Sequence, residues 1–384
     1  MYSLFGNNLK SAYNNLSKMV PEEIRYILLL FILSRFILII IGCYSRLRYC
    51  GSDFFHFTDF IWLNVWGVYD SGWYVSIANN WYSSHLSTYP TTLNQGNYAF
   101  FPLYPLLMKL IGSIIGSTFI AGLIISNITL LIACFFLYKL ILIENDPTIA
   151  KKAIKYTFLF PVAFIYSGVF TESLYLALLI MCFYYARKEQ WHIVGLLGLF
   201  LSLTRSLGVF VIFPMLLEYL AIRDYKVTKV KSNVLYLLLI PVGLAIFSVY
   251  NFYFTGDFFA FIHIQSAWGR HLDNPLNYLL HGLFSNHAEE FFWAFFTVVF
   301  TVLLIAGSSL IRPSYLLVGV YSIIIPLSSG IASMPRYFLA VFPLYIIMAK
   351  LTKNKYTDMI LTALLIIVQC YLMALWAIGS PFVM

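Results

Sequence analysis

The chain has 384 residues, of which 61% are apolar and only 10% are charged. Soluble domains average about 45–50% apolar and about 25% charged residues, so this composition excludes a water-soluble protein. The net charge of +8 suggests no nucleic-acid partner, because Lys and Arg of membrane proteins collect in cytoplasmic loops. Long continuous apolar runs predict an all-α polytopic membrane protein rather than a barrel of short alternating strands.

A membrane-spanning helix needs about 20 mainly apolar residues, and shorter ones occur inside bundles. Starting from a cytoplasmic N-terminus, the alternation of sides puts seventeen of the 24 Lys and Arg residues inside and six outside, which predicts an outside C-terminus. Arg35 lies within the first span, and we expect it to pair with a carboxylate of the bundle. The eleven predicted spans are residues 26–45, 117–142, 153–169, 172–186, 192–205, 207–222, 234–254, 290–310, 313–331, 337–350 and 357–378.

The first outer loop is unusually long. Residues 99–116 are apolar but contain two prolines and Lys109, so they predict an interfacial helix rather than a further span. Residues 46–116 then form one extracytoplasmic loop, rich in Trp and Tyr that suit the headgroup zone. Loops of this length in compact proteins are usually functional. A second outer loop covers residues 255–289, and residues 1–384 read as a single integral membrane domain without internal repeats.

The five cysteines show neither CxxC nor metal-ligand spacing. Cys43 and Cys50 could still form a disulfide near one membrane surface. No two or three His, Asp or Glu residues have the spacing of a metal site. The sequence therefore predicts neither a metal nor another cofactor.

Ionisable residues at the predicted outer face lie beside apolar runs. An ionisable group at membrane depth costs about 2.5–3.5 kcal/mol, so it normally faces a cavity and has a partner. Glu172 and Arg205, on adjacent outer turns, could form a structural ion pair, and Arg336 could simply extend to the interface. The candidate site residues of this face are Asp70, Trp73, Tyr74, Glu172, Arg205, Gln265, Arg270, His271 and Arg336.

This set of side chains indicates a chemistry. Arginine binds phosphate through a planar, bidentate fork, and a carboxylate can take a proton from an attacking hydroxyl. Together they favour glycosyl transfer from a lipid-phosphate sugar. A transporter or flippase of lipid-linked saccharides remains the alternative, although it would need polar residues towards both faces and often has paired repeats. A binding or assembly subunit is the third interpretation.

Four separated blocks carry a family resemblance that covers most of the chain. They are WGVYDSGWYVSIANNWY with AFFPLYPL (66–82, 99–106), the stretch 160–218 with FP, TESLY and LTR-x-x-G, GDFFAFIHIQSAWGR (256–270) and MPRYFLAVFPL (334–344). In this order they resemble PIG-V-type membrane mannosyltransferases, which include the enzyme adding the second mannose in GPI-anchor assembly and shorter prokaryotic relatives. Tyr69 stands where the family often has Trp, and we expect this change to affect packing only.

The resemblance implies a GT-C-type bundle, here of about 11 transmembrane helices, with a catalytic first outer loop. It also implies a polyprenyl- or dolichyl-phosphate mannose donor and an inverting mechanism. Asp70 would be the general base, Arg205, Arg336 and Arg270 would bind the donor phosphate, and Glu172, Trp73, Tyr74, His271 and Gln265 would orient substrate. The acceptor stays open between a glycolipid, a cell-wall glycan and a protein. The membrane would be the plasma membrane in a prokaryote and the endoplasmic reticulum in a eukaryote.

Overall fold

A computed structural model describes residues 20–50 and 55–383. These residues form helices joined by turns and contain no β-strand. The α-helices of nine or more residues are α1 (Glu22–Tyr49), α2 (Ser71–Asn80), α3 (Leu103–Ile115), α4 (Thr118–Leu142), α5 (Pro147–Leu159), α6 (Glu172–Arg187), α7 (Trp191–Ser202), α8 (Ile212–Ala221), α9 (Leu239–Thr255), α10 (Pro275–Leu283), α11 (Ala288–Ala306), α12 (Pro313–Leu327), α13 (Pro343–Leu351) and α14 (Lys355–Ala377).

Every predicted span coincides with helical structure, which confirms the all-α polytopic class. In the described part of the chain, five helices are long and apolar enough to cross a membrane alone, and the number rises to seven if two sharply bent pairs are each one span. The five are α1, α4, the segment Ser232–Thr255 that ends in α9, α11 and α14.

Six of the predicted spans form shorter helices. With 16, 12 and 15 residues, α6, α7 and α12 measure about 24, 18 and 22 Å, against about 30 Å for the hydrocarbon core. The predicted span 337–350 is broken, because Met334–Ala340 and Pro343–Leu351 meet at 82°. These helices therefore begin or end inside the bundle, at the turns that carry the candidate site residues.

The predicted span 153–169 is interrupted in the same way. Helix α5 ends at Leu159, and a 3₁₀ turn follows at Ala163–Ser167. Pro161 lacks an N–H and disfavours helix at the residue before it, which explains the break. Gln369 of α14 donates through Nε2 to the carbonyls of Phe158 and Phe160, at 2.8 and 3.0 Å, and so satisfies the opened backbone.

The expectation that Arg35 pairs with a carboxylate was wrong. Its Nη2 donates to the carbonyl of Ala163 at 3.4 Å, and its guanidinium lies over the rings of Phe31 and Phe158. No described carboxylate forms an ion pair with it. The break after α5 offers backbone carbonyls in the bundle interior, and these take the place of the expected acid.

The loop predicted over residues 46–116 starts later than expected, because α1 continues to Tyr49. The loop carries α2 and α3, and the segment Pro90–Ala99 meets α3 at 93°. With 13 residues, α3 is about 20 Å long, too short to cross a bilayer alone, as the interfacial prediction requires. The suggested disulfide between Cys43 and Cys50 does not form, and both thiols are free.

Helix α6 lies at the centre of the bundle. Twelve of its 16 residues are buried, and it packs against α4 and α7. Its first residue, Glu172, is a buried carboxylate at the start of a mainly apolar helix. The candidate site lies around Glu172, at the start of α6.

Candidate functional site at the start of helix α6

Four charged side chains from distant parts of the chain meet where α6 begins. Oε1 of Glu172 accepts hydrogen bonds from Nη1 of Arg205, at 2.5 Å, and from Nε of Arg336. Nη1 of Arg336 also donates to Oδ2 of Asp70, at 2.6 Å. The ion pairs therefore run in one chain from Asp70 through Arg336 and Glu172 to Arg205, and we call these four residues the charged network.

Each member of the charged network sits where a helix begins or ends. Asp70 directly precedes α2, and Glu172 is the first residue of α6. The N-terminus of a helix carries a partial positive charge, which favours carboxylates at these two places. Arg205 lies in extended backbone after α7, and Arg336 lies in a single helical turn that follows Ser333, whose φ is +63°. The helix breaks thus bring the four residues together.

The charged network is largely shielded from solvent. The Glu172 side chain is 2% exposed, and those of Arg336, Asp70 and Arg205 are 13–16% exposed. The guanidinium of Arg336 lies 4.7 Å from the ring centre of Phe170. Two carboxylates balance two guanidinium groups, so the formal charge of the charged network is zero. Removing one partner of such a buried pair leaves an uncompensated charge and costs about 3–5 kcal/mol.

Arg270 reaches the same place from the second outer loop. Its guanidinium and that of Arg205 lie 5.7 and 5.2 Å from the ring centre of Tyr337. Nη2 of Arg270 also donates to the carbonyl of Ala332, at 3.3 Å. Three arginines therefore surround Tyr337, and Arg270 gives the region one positive charge beyond the balanced network.

Several buried polar atoms beside the charged network have no hydrogen-bond partner in the described part of the chain. They are Oε2 of Glu172 and the hydroxyls of Thr171 and Ser71. Thr171 and Ser71 directly precede or follow members of the network along the chain. Buried polar groups are usually hydrogen-bonded, so the site has spare capacity to bind water or a polar ligand.

Trp73 and Tyr74 occupy different positions on α2. The Trp73 ring is partly exposed and contacts the rings of Phe100 and Trp268, with ring centres 5.8 and 6.2 Å away. Tyr74 is buried and packs edge-on against Phe100 and Tyr104. Trp73 therefore lies among aromatic rings of two loops, whereas Tyr74 is close enough to the charged network to interact electrostatically with all four of its members.

Gln265 and His271 do not join the charged network. Nε2 of Gln265 donates to the carbonyl of Phe261 in its own loop, and His271 is exposed, with its backbone carbonyl accepting from Tyr278. Tyr69 packs against Trp376, with ring centres 5.3 Å apart, and its hydroxyl donates to the carbonyl of Ser380. The Tyr69 contacts agree with the packing role expected for that position.

Reasoning from the sequence did not single out Phe170 or Tyr337 as parts of the site. Aromatic residues make up 19% of the chain, so a single aromatic residue does not stand out in the sequence as a candidate for the site. Tyr337 could have been found through its position directly after Arg336, and Phe170 through its position two residues before Glu172. Within residues 20–50 and 55–383, no group of three or more His, Cys, Asp or Glu could hold a metal ion.

Comparisons with known proteins give structural matches only. No protein-family model and no curated protein matches the chain. The structure of ArnT from Cupriavidus metallidurans bound to undecaprenyl phosphate is similar, with a TM-score of 0.54 and 13% identity over 87% of this chain and 62% of that chain. An oligosaccharyltransferase from Archaeoglobus fulgidus, in complex with Zn and sulfate, has a TM-score of 0.46 and 14% identity over 90% of this chain and 53% of its own.

The chain thus spans less than two thirds of the length of either protein. At this low identity the likeness to ArnT bears on the fold alone. It confirms the predicted fold class to this extent: the chain is an all-α membrane bundle that shares the fold of ArnT.

Proposed function

We propose that this protein is an inverting glycosyltransferase that moves a sugar from a polyprenyl-phosphate donor to an acceptor. The observation that carries the proposal is the charged network with Arg270, at helix breaks within a GT-C-type bundle. ArnT, whose fold is similar, is described with bound undecaprenyl phosphate. The four sequence blocks support mannose as the sugar and a PIG-V-type relative as the family.

The arginines around Tyr337 suit the donor phosphate. Arg205 uses one of its five N–H donors on Glu172, and Arg270 uses one on a backbone carbonyl, so both guanidinium groups have donors left for phosphate oxygens. Arg270 also supplies positive charge that no described carboxylate neutralises. A phosphate on a lipid tail would arrive from the surrounding apolar helices, and its charge would offset that of Arg270.

Asp70 suits the role of general base. The acceptor hydroxyl oxygen would attack the anomeric carbon while the bond from that carbon to the phosphate oxygen breaks on the opposite face. The bond's electron pair leaves with the polyprenyl phosphate, and the hydroxyl proton passes to the carboxylate of Asp70. One displacement of this kind inverts the anomeric configuration and needs no covalent enzyme intermediate.

Arg336 links donor binding to the base. In the structure its guanidinium binds both Asp70 and Glu172, so the carboxylate proposed as base is held in an ion pair. A phosphate that contacts Arg336 would compete with Asp70 for the same N–H donors. The Asp70 carboxylate would then be freed for the acceptor hydroxyl when donor is bound, while Glu172 keeps Arg336 and Arg205 in place.

The reaction would occur at the extracytoplasmic or lumenal face. The excess of Lys and Arg in the alternate loops supports a cytoplasmic N-terminus, which puts residues 46–116 and the charged network outside. Donor and acceptor would both be reached from that side of the membrane.

A transfer assay with purified protein in detergent tests the proposal. The protein is given radiolabelled polyprenyl-phosphate mannose and a membrane-lipid extract that serves as the acceptor pool. We expect label to move to a new product, with the anomeric configuration inverted. Saturable donor binding without a labelled product, combined with donor movement across the bilayer in proteoliposomes, would instead support a transporter. Absence of donor binding would contradict the donor assignment.

A further inference from the structure

A second group of charged residues lies at the far end of α6. Glu172 starts this helix and Arg187 ends it, so the two are separated by about 22 Å along the axis. Arg187 and Nη1 of Arg312 both donate to Oε1 of Glu144, the latter at 2.6 Å. Nε of Arg312 donates to the buried Glu218 at 2.8 Å. None of these residues takes part in the function proposed above.

A cavity of about 130 Å³ lies beside this group. One water needs only about 10–15 Å³ by the same kind of measure, so a larger group fits. Glu144, Asn145, Arg312 and Lys350 line one part of the cavity. Ser309 and Tyr315 also line it, and the aliphatic part of the lining consists of Leu140, Ile141, Leu310, Ile311 and Ile346. The cavity is therefore lined by both charged and aliphatic side chains.

Lys350 differs from the other basic residues at this end of the bundle. Lys139, Lys151 and Lys155 form ion pairs with carboxylates of other helices, at 2.5–2.8 Å. Lys350 donates to the carbonyl of Leu310, at 2.8 Å, and no described carboxylate lies within ion-pair distance of it. Its ammonium thus lines a cavity without a counter-ion and keeps donors for a ligand.

The charge balance of the cavity favours a monoanion. Burial alone would raise the pKa of Glu144, but hydrogen bonds and charge from Arg187 and Arg312 outweigh burial and keep that pKa below its usual range. Glu144 and Glu218 therefore balance Arg187 and Arg312, which leaves the single positive charge of Lys350. The N-terminus of α12, directly after Arg312, adds partial positive charge.

The position of the cavity indicates an amphiphile. Ile143 and Leu351, the neighbours of Glu144 and Lys350 in sequence, are 37% and 53% exposed. In a bundle within a bilayer, such side chains face lipid tails. Basic pockets between helix ends on the cytoplasmic side are a recurrent place for anionic lipid headgroups.

We propose that this cavity binds the phosphodiester headgroup of a membrane lipid of net charge −1, such as phosphatidylglycerol. Lys350 and Arg312 contact the phosphate, Glu144 and Asn145 contact headgroup hydroxyls, and the aliphatic part of the lining contacts the glycerol backbone. The site stands apart from the glycosyl-transfer site and does not depend on the function proposed for it.

Native mass spectrometry of the full chain tests this proposal by titration with phosphatidylglycerol. We expect Lys350→Gln to raise the apparent Kd about tenfold or more, because a charged hydrogen bond is lost. The control is Lys353→Gln, which makes the same charge change at an exposed position that does not line the cavity. It should leave the Kd within about twofold, by the small effect expected of a surface charge.

Two further comparisons define the ligand. Phosphatidylcholine should bind at least about tenfold more weakly, because its headgroup has no net charge to balance Lys350. Glycerol phosphate, which lacks the tails, should not displace the lipid. Equal losses in both lysine variants, equal binding of both lipids, or displacement by glycerol phosphate would each overturn the proposal. If Lys350→Gln does not fold, Ser309→Asp adds a negative charge at an exposed lining residue and should weaken binding in the same way.

Discussion

Glu172 holds two guanidinium groups with a single carboxylate oxygen. It is therefore the residue on which the geometry of the charged network depends most. No other residue of α6 carries a carboxylate, so none in this helix can take over its charge. A single substitution at Glu172 should therefore disturb the charged network even when every helix stays in place.

Glu172→Gln should lower the free energy of unfolding by about 3–5 kcal/mol, because two buried arginines lose their shared counter-ion. Thermal or denaturant unfolding in detergent measures this change. Glu22→Gln is the matched control, since the Glu22–Lys151 pair is exposed and should contribute far less to stability than the buried pairs of Glu172. Equal effects of the two changes would contradict a buried network around Glu172.

Arg205 forms a single ion pair within the network, with Glu172, and is the clearest probe of donor binding. Arg205→Lys keeps the charge but loses the planar fork, so donor KM should rise about tenfold or more while folding is retained. Steady-state transfer rates against donor concentration provide the measurement. Arg48→Ala, an exposed residue near the end of α1, should leave donor KM unchanged. A KM for Arg205→Lys equal to that of Arg48→Ala would remove Arg205 from the phosphate site.

At the scale of elements, the broken helices have a common explanation. The break after α5, the short α7 and the bend between Ala340 and Pro343 all expose backbone groups inside an apolar bundle. Unpaired backbone groups are costly there, because no water is available to satisfy them. Arg35 and Gln369 supply hydrogen bonds to the carbonyls after α5, which allows the chain to turn towards Glu172.

Gln369→Leu should therefore destabilise the protein by about 2–4 kcal/mol, since the carbonyls of Phe158 and Phe160 lose their donor. The measurement is the free energy of unfolding in detergent. Tyr371→Leu changes an exposed residue of the same helix and should have an effect within about 0.5 kcal/mol. If both variants have the same stability, the break after α5 does not depend on Gln369.

The sequence predicts where helices occur better than it predicts where they begin, end or break. Helical structure occurs at all eleven spans predicted from apolar runs, because the hydrophobic signal extends over many residues. The breaks were missed where a single residue decides them, as at Pro161, and the partner of Arg35 was missed for the same reason. A helix break frees a backbone carbonyl, and residue types alone do not show that such a carbonyl is available as a partner.

At the scale of the whole molecule, the site could be predicted in part. Asp70, Glu172, Arg205 and Arg336 stand out because charges are rare in an apolar chain, and the structure brings all four together. Gln265 and His271 stand out equally in the sequence, but their contacts lie within their own loop and not in the network. The sequence does not show the path of the loop 255–289, so it could not separate these two residues from Arg270. Charge contrast therefore finds buried ion pairs better than it finds the positions of exposed loop residues.

The molecule also separates two charged regions by the length of α6. One contains the charged network with Arg270, and the other contains Glu144, Arg312 and the cavity beside Lys350. The chain is thus built to hold buried charge at both ends of a short central helix, with apolar and aromatic packing between them. In our account, chemistry takes place at the first region and lipid binding at the second.

The most direct test of the central claim is the initial rate of sugar transfer by Asp70→Asn. The general base contributes about 10²- to 10⁴-fold to such a step, so we predict a loss of that size with donor binding and folding retained. Asp59→Asn, in the same loop with a side chain that is 99% exposed, should keep the full rate. A rate for Asp70→Asn within about threefold of the unmodified protein would contradict Asp70 as the base.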